Sequence, residues 1–355
     1  MDHATIRHHF AAQRQQAGTR QRDIADGLGI GEAELIAAHV GVDGETPLRA
    51  SRLDTDWPAL FAELASLGEV MALTRNQDCV HEKIGVYRRF SHDGHVGLVL
   101  DQAIDLRLFF GHWRYGFAVE DDSGSQPQHS LQFFDAQGEA VHKIFRRPGS
   151  DRAAWAALCH RFADQGLAPQ PIPVSRPARR PEKPDAQIDV AGLRQGWAAL
   201  RDTHDFFSLL KRFGVSRRQG LRLADPRFVS QVIPMAASWL LQEAARRGVP
   251  IMVFTGNPGT IQIHSGSIAH VFEQGPWINV MDEGFNLHLR QDRVTDAWLV
   301  RKPTRDGLVS SLELFNAQGE TIAMLFGERK PGRPERSDWR ALLDWLQEEA
   351  VPCAV

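Results

Sequence analysis

One stretch of this chain is written twice. SLQFFDAQGEAVHKIF (Ser130 to Phe145) matches SLELFNAQGETIAMLF (Ser311 to Phe326) at a constant shift of 181, with eight of sixteen positions identical. The same shift lays Met71, Thr74 and Asn76 on Met252, Thr255 and Asn257, and DLRLF (Asp105 to Phe109) on NLHLR (Asn286 to Arg290). A period this long specifies two tandem domains rather than a short-repeat solenoid. Between the copies, APQPIPVSRPARRPEKP (Ala168 to Pro184) holds six prolines, the composition of an extended linker. The expected division is an N-terminal repeat at 1–167, a linker at 168–188 and a C-terminal repeat at 189–355.

Each copy opens on helices, Arg20 to His39 in the first and Leu193 to Arg247, broken by prolines, in the second. Alternating or β-branched segments follow: Val70 to Thr74, Val96 to Leu100, Leu106 to Phe110 and Leu131 to Phe134. Their counterparts are Ile251 to Thr255, Ile261 to His264, Leu287 to Arg290 and Leu312 to Phe315. DAQGE and NAQGE read as hairpin turns. A helix closes each copy, around Asp151 to Gln165 and Asp338 to Glu349. Helices, then strands, then a helix predict an α+β fold with antiparallel sheets.

The 355 residues are 43% hydrophobic, ample for a core, and 41 basic against 44 acidic residues leave a formal charge of −3. No global positive field favours nucleic acid or an anionic membrane. The first residues lack the apolar core of a signal peptide and no run is long enough to span a bilayer, so a cytoplasmic protein without membrane insertion is expected. Cys79, Cys159 and Cys353 are too few and too scattered for a disulfide framework or a cysteine zinc site. CxxCH, HExxH, Walker A and dinucleotide-binding glycine patterns do not occur.

Leu193, Trp197, Leu200, His204 and Phe207 fall on one stripe at helical spacing, which predicts a histidine in an apolar face. Gly214 and then Ser216-Arg217-Arg218-Gln219 predict a helix stop and a new start. A core histidine satisfied by backbone groups explains His204; so does an axial ligand to iron beside Phe206 and Phe207. At an offset of 185 its first-copy counterpart is Thr19, so any ligand site belongs mainly to the second copy.

Arg107 and Phe109 share a strand face, either as a snorkelling arginine or as a cationic donor over an apolar pocket. Arg217, Arg218, Arg301, Lys302, Arg329 and Lys330 read singly as solvated charges. Brought together, they would supply a cationic rim for a ligand with two carboxylates. His81 and His288 are further candidates, each more simply explained as a polar residue on an alternating strand.

NQDCVHEKIGVY (Asn76 to Tyr87), DLRLFFGHW (Asp105 to Trp113), THDFFSLLKRFGVSRRQ (Thr203 to Gln219), NLHLR with WLVRKPT (Asn286 to Thr304) and LFGERKPG (Leu325 to Gly332) resemble the bacterial haemin-degrading and haemin-trafficking factors of the HemS/ChuS/PhuS type. The resemblance covers nearly the whole chain, duplication included. It implies two α+β halves with two large antiparallel β-sheets packed centrally and flanking helices. It implies binding of haem b (Fe-protoporphyrin IX), with His204 as the iron ligand and Arg107, as catalytic donor, on the opposite side with Phe109. It places Phe207 and Phe254 against the macrocycle and Arg217, Lys302 and Arg329 toward the distal face or the propionates. Phe213 stands where relatives can carry another histidine, and THDFF holds one histidine where some carry a cluster.

The function so implied is handling of imported haem: trafficking to a haem oxygenase, or oxidative ring opening that releases iron with electrons from an external donor. A competing class is a helix-turn-helix regulator over Arg22 to Leu35. Against it, the second helix begins Glu32-Ala33-Glu34, which phosphates repel.

Overall fold

The computed structural model describes residues 1–14, 19–42, 46–124, 126–163, 181–330 and 332–350. The proline-rich stretch therefore lies, over 168–180, outside the described residues. The chain falls into two compact units: Met1–Arg75, Glu82–Pro177 and Gly256–Gln262 form the first, and Asn76–His81, Ala178–Thr255 and Ile263–Val355 the second. Each unit thus takes in a short segment from the other half of the sequence. The two segments are equivalent under the repeat, since 76–81 shifted by 181 is 257–262.

The chain begins with helices α1 (His3–Gln13), α2 (Gln21–Leu28) and α3 (Glu32–Ala37), strand β1 (Leu48–Arg52) and helix α4 (Trp57–Glu63). Strands β2 (Gly68–Arg75), β3 (Cys79–Gly85), β4 (Phe90–Asp93), β5 (Val96–Leu100) and β6 (Asp105–Phe109) follow. β7 (Tyr115–Asp121), β8 (Gln128–Phe134), β9 (Ala140–Ser150) and helix α5 (Arg152–Arg161) complete the first half.

The second half opens on α6 (Val190–Ala198), α7 (Asp205–Phe213), α8 (Arg217–Leu223), β10 (Val229–Val232) and α9 (Ala236–Arg247). Then come β11 (Ile251–Asn257), β12 (Thr260–Gly266), β13 (Val271–Gln274), β14 (Trp277–Asp282) and β15 (Phe285–Arg290). β16 (Asp296–Thr304), β17 (Gly307–Phe315), β18 (Thr321–Gly327) and α10 (Ser337–Glu349) close it. The described strands form two nine-stranded antiparallel sheets, as an α+β duplication requires.

Within the first unit the order β1-β7-β8-β9-β2 is antiparallel throughout. The second unit repeats it as β10-β16-β17-β18-β11. The predicted hairpins join β8 to β9 and β17 to β18. Asp135 accepts from Gln137 N at 2.9 Å and Glu139 N at 3.0 Å, and Asn316 accepts from Glu320 N at 2.9 Å. Gly138 (φ 78°) and Gly319 (φ 72°) supply the left-handed residue that each turn needs.

Alternation fixes which sheet face is apolar. In the second unit Ile251, Val253, Leu299, Leu312, Leu314 and Leu325 point to the α9 and α10 side and form one core with Leu240, Trp339 and Leu342. The other face, partly covered by α6 to α8 around Trp197, Phe206 and Leu221, carries the site described next.

The helix-turn-helix reading is corrected by burial. All six residues of α3 are buried, Glu32 at 4% and Glu34 at 9% exposure, so this helix has no free face to enter a groove. Glu32 turns inward to Lys143 (2.5 Å) and Arg75 (2.7 Å) rather than outward to solvent.

Candidate functional site

The stripe from Leu193 to Phe207 is not one helix. α6 ends at Ala198, and α7 starts afresh at Asp205 with His204 as its N-cap. The break has a local cause: the Asp202 carboxylate accepts from His204 N at 2.9 Å, and Arg201 O accepts from Arg305 N at 3.0 Å. An Asx turn and an extended pairing therefore compete with helix and win. His204 accordingly lies outside the apolar face, its side chain 91% exposed. Its Nδ1 sits 2.7 Å from Asp202 Oδ1, which makes Nδ1 the protonated nitrogen and turns the basic Nε2 outward. Hydrogen bonds from the His204 backbone and imidazole, with the Arg329 charge behind them, hold the Asp202 carboxyl below its usual value.

Phe207, one turn along from His204, is 72% exposed. The opposite side of α7 is buried through Phe206, Leu209 and Leu210. The Phe206 ring meets Trp197 edge-on at 4.7 Å and lies beneath two cations, Lys302 Nζ at 4.5 Å and the Arg217 guanidinium at 5.1 Å. Gly214 (φ 65°) ends α7, and Ser216 caps α8 by accepting from Gln219 N at 3.0 Å, as the sequence predicts.

Arg217 and Lys302 are not solvated rim charges. Arg217 grips the fully buried Glu313 carboxylate through Nε (2.6 Å) and Nη2 (2.8 Å), and Lys302 Nζ reaches it at 2.7 Å. Ser311 Oγ adds a third donor group at 3.2 Å. Burial pushes the Glu313 carboxyl up, but Arg217 and Lys302 outweigh it and hold the group well below the carboxylate range. Burial in turn lowers the Lys302 ammonium to about 8, opposed by Glu313. Two cations on one acid leave a surplus positive charge under the helix.

Next to this cluster the sheet face turns apolar. Met252 pairs with Phe326 and Phe254 with Met324 across β11 and β18, all four half-buried. The Phe254 and Phe326 rings pack at 5.1 Å, and Phe326 lies 5.9 Å from Lys302 Nζ. His204, Phe207, Arg217, Phe254 and Lys302 are thus brought into one neighbourhood of the second unit. Arg329 joins it through its field on Asp202 and a 3.8 Å contact with Asp306. A cleft of about 340 Å³ lined by Arg301, Leu308, Ser310, Arg340, Leu343 and Asp344 contains none of these residues.

The first copy shows what this face becomes when filled. Lys143 stands where the second copy has Met324, and Glu32 where it has Arg217. Burial raises the Glu32 carboxyl, but Lys143 and then Arg75 overcome it and hold it at about 2. The ion cluster is inverted, acid on the helix and bases on the strands, and it occupies the surface that is open around Phe254.

Arg107 and Phe109 belong to the first unit. They share the half-exposed face of β6, with Leu106 and Leu108 buried behind. Arg107 donates to the Asp105 carboxylate and to Leu106 O at 3.2 Å. Burial raises the Asp105 carboxyl while Arg107 opposes it. His81 is fully buried against Phe285 at 5.0 Å, and His288 is tied to Asn279 at 2.7 Å.

Asp202, Glu313 and Phe326 are absent from the sequence-based expectation. Their signals were an aspartate two residues before the histidine, and a polar residue at the same inward strand position in both copies, Gln132 and Glu313.

The comparisons with known proteins bear on the fold and the family. The family described as "Haemin-degrading HemS.ChuX domain" matches residues 29–162 and 214–346, one copy per half. The chain is 39% identical over 341 residues to the hemin transport protein HmuS of Yersinia pestis, covering 96% of each. Among solved structures it superposes on holo-PhuS, a heme-binding protein from Pseudomonas aeruginosa, with a TM-score of 0.91, 42% identity and 99% coverage of both chains. ChuS, described as an E. coli heme oxygenase, superposes with a TM-score of 0.85 and 35% identity over 98% of this chain and 99% of that one. With both repeats matched and 96% of a 39%-identical relative covered, the chain belongs to the HemS/ChuX family of haemin-degrading domains.

Proposed function

We propose that this protein binds haem through His204 in its C-terminal repeat (189–355) and handles it after uptake. The observation that carries the reading is the exposed imidazole whose Nδ1 is held by Asp202, the arrangement of a metal-ligating histidine oriented by a carboxylate. The neighbouring residues suit the rest of the molecule: Phe207, Phe254 and Phe326 offer flat apolar contact, and the Arg329 guanidinium is a partner for carboxylates. Relatives named for hemin transport, heme binding and heme oxygenation support the same ligand. The form proposed is haem b, bound without the covalent attachment that a CxxCH motif, absent here, provides.

When bound, haem supplies the redox-active iron. The chain's own contribution is ligation by His204, orientation of that ring by Asp202, and shielding of the macrocycle by the phenylalanines. Arg107, the candidate catalytic residue, supplies a hydrogen-bond donor, and Phe109 an apolar contact. No helix among the described residues is long and apolar enough to cross a membrane. The cytoplasm is the location proposed with the handling of imported haem.

Two fates divide the reading, delivery to a haem oxygenase and ring opening driven by an external electron donor. Purified protein titrated with haem, then given a reductant with catalase present, separates them. Loss of the haem absorption with a defined tetrapyrrole product identifies an enzyme, whereas stable haem that passes stoichiometrically to an oxygenase identifies a carrier. Arg107→Ala is expected to leave binding through His204 intact and to shift the absorption spectrum of the haem complex. Asp202→Ala is expected to weaken haem binding about tenfold, at the lower end for a supporting carboxylate because the pair is exposed; equilibrium titration measures it.

A further inference from the structure

We propose that Lys302 is a positioning residue: its buried ammonium, held on Glu313, fixes the first turn of α7 through the face of Phe206 and so sets where the His204 imidazole points. The inference rests on the haem reading above and concerns how the same site is held. Local hydrogen bonds close that turn, His204 N to the Asp202 carboxylate at 2.9 Å, Asp205 N to Asp202 O at 3.2 Å and Phe206 N to Thr203 O at 3.3 Å, but none of them ties it to the sheet. The N-cap is His204 itself, which makes no side-chain cap hydrogen bond, and its ring is 91% exposed. Phe206, two residues on, is the first buried side chain of the helix. What it rests on therefore decides how the closed turn is seated on the sheet.

It rests on Trp197, Lys302 and Arg217. An ammonium 4.5 Å from a ring centroid and shielded from water is a strong cation–π contact, and Glu313 prevents it from moving off. The Lys302 side chain is 3% exposed, so turning it toward an external carboxylate requires breaking both contacts. This geometry suits support from beneath rather than a grip on propionate. The device occurs once. The first copy has Asp121 in place of Lys302, Gln132 in place of Glu313 and Thr19 in place of His204.

Lys302→Met keeps the buried stem and leaves Glu313 paired with Arg217; Phe206→Leu keeps apolar bulk and removes the ring. Both variants, checked for folding by circular dichroism, are titrated with haem, haem dimethyl ester and metal-free protoporphyrin IX. The expected result is a loss of about tenfold with haem and equally with its ester, a changed absorption spectrum of the ferric complex, and unchanged affinity for the metal-free ring. A loss confined to haem marks Lys302 as a carboxylate anchor and overturns the inference, as does a loss shared by the metal-free porphyrin or no loss at all. Wild-type protein that fails to bind haem, or His204→Ala with unaltered spectrum and affinity, overturns the haem reading instead.

Discussion

Glu313→Ala is expected to destabilise the second unit by about 3–5 kcal/mol, because it strands two cations that share one buried carboxylate. The carboxylate is fully buried and receives Arg217 by two nitrogens, Lys302 by one and Ser311 by its hydroxyl. Its removal leaves Lys302 against the rings of Phe206 and Phe326 and beside the like charge of Arg217. Replacing the whole cluster by apolar residues of similar size, Glu313→Leu with Lys302→Met and Arg217→Met, is expected to recover most of the loss. Denaturant unfolding of the single and triple variants measures both. A single variant within about 1 kcal/mol of wild type, far below a broken buried pair, would show that the cluster does not tie α8 to the sheet.

The second large effect concerns acid and the first unit. Glu32 is held at about 2 against an ordinary 4.5, chiefly by Lys143 once the opposing burial is overcome. A carboxyl lowered on folding stabilises the native state above its unfolded value. That stability drains away as the pH falls from about 4.5 toward about 2, and it amounts to about 3 kcal/mol. Unfolding free energy measured across this window should therefore fall steeply in wild type and more shallowly in Glu32→Gln. Parallel profiles for the two proteins would remove Glu32 from the account.

The duplication, the α+β order and most strands were legible because they rest on repetition and on period-two alternation, which a buried sheet face imposes directly. Both hairpins were legible for the same reason, since DAQGE and NAQGE carry their own turn chemistry. The helix across His204 was misread: a stripe at 3.6 spacing survives on paper even when Asp202 diverts the backbone at 199–204. Periodicity reports which residues are apolar, whereas the break depends on one side chain reaching one amide. The charges failed differently. Lys302 and Arg217 looked like surface residues because their neutralising partner, Glu313, lies 11 and 96 positions away in sequence. Residue type shows a charge, but only the folded chain shows which acid it meets.

Ligation by His204 is tested most directly by chemical rescue. His204→Gly removes the imidazole and leaves a gap at an exposed position, so free imidazole can enter from solvent. The ferric haem complex of this variant is expected to lose the wild-type absorption spectrum and to regain it on titration with imidazole. A variant whose spectrum already equals wild type and ignores added imidazole would contradict the assignment of His204 to the iron.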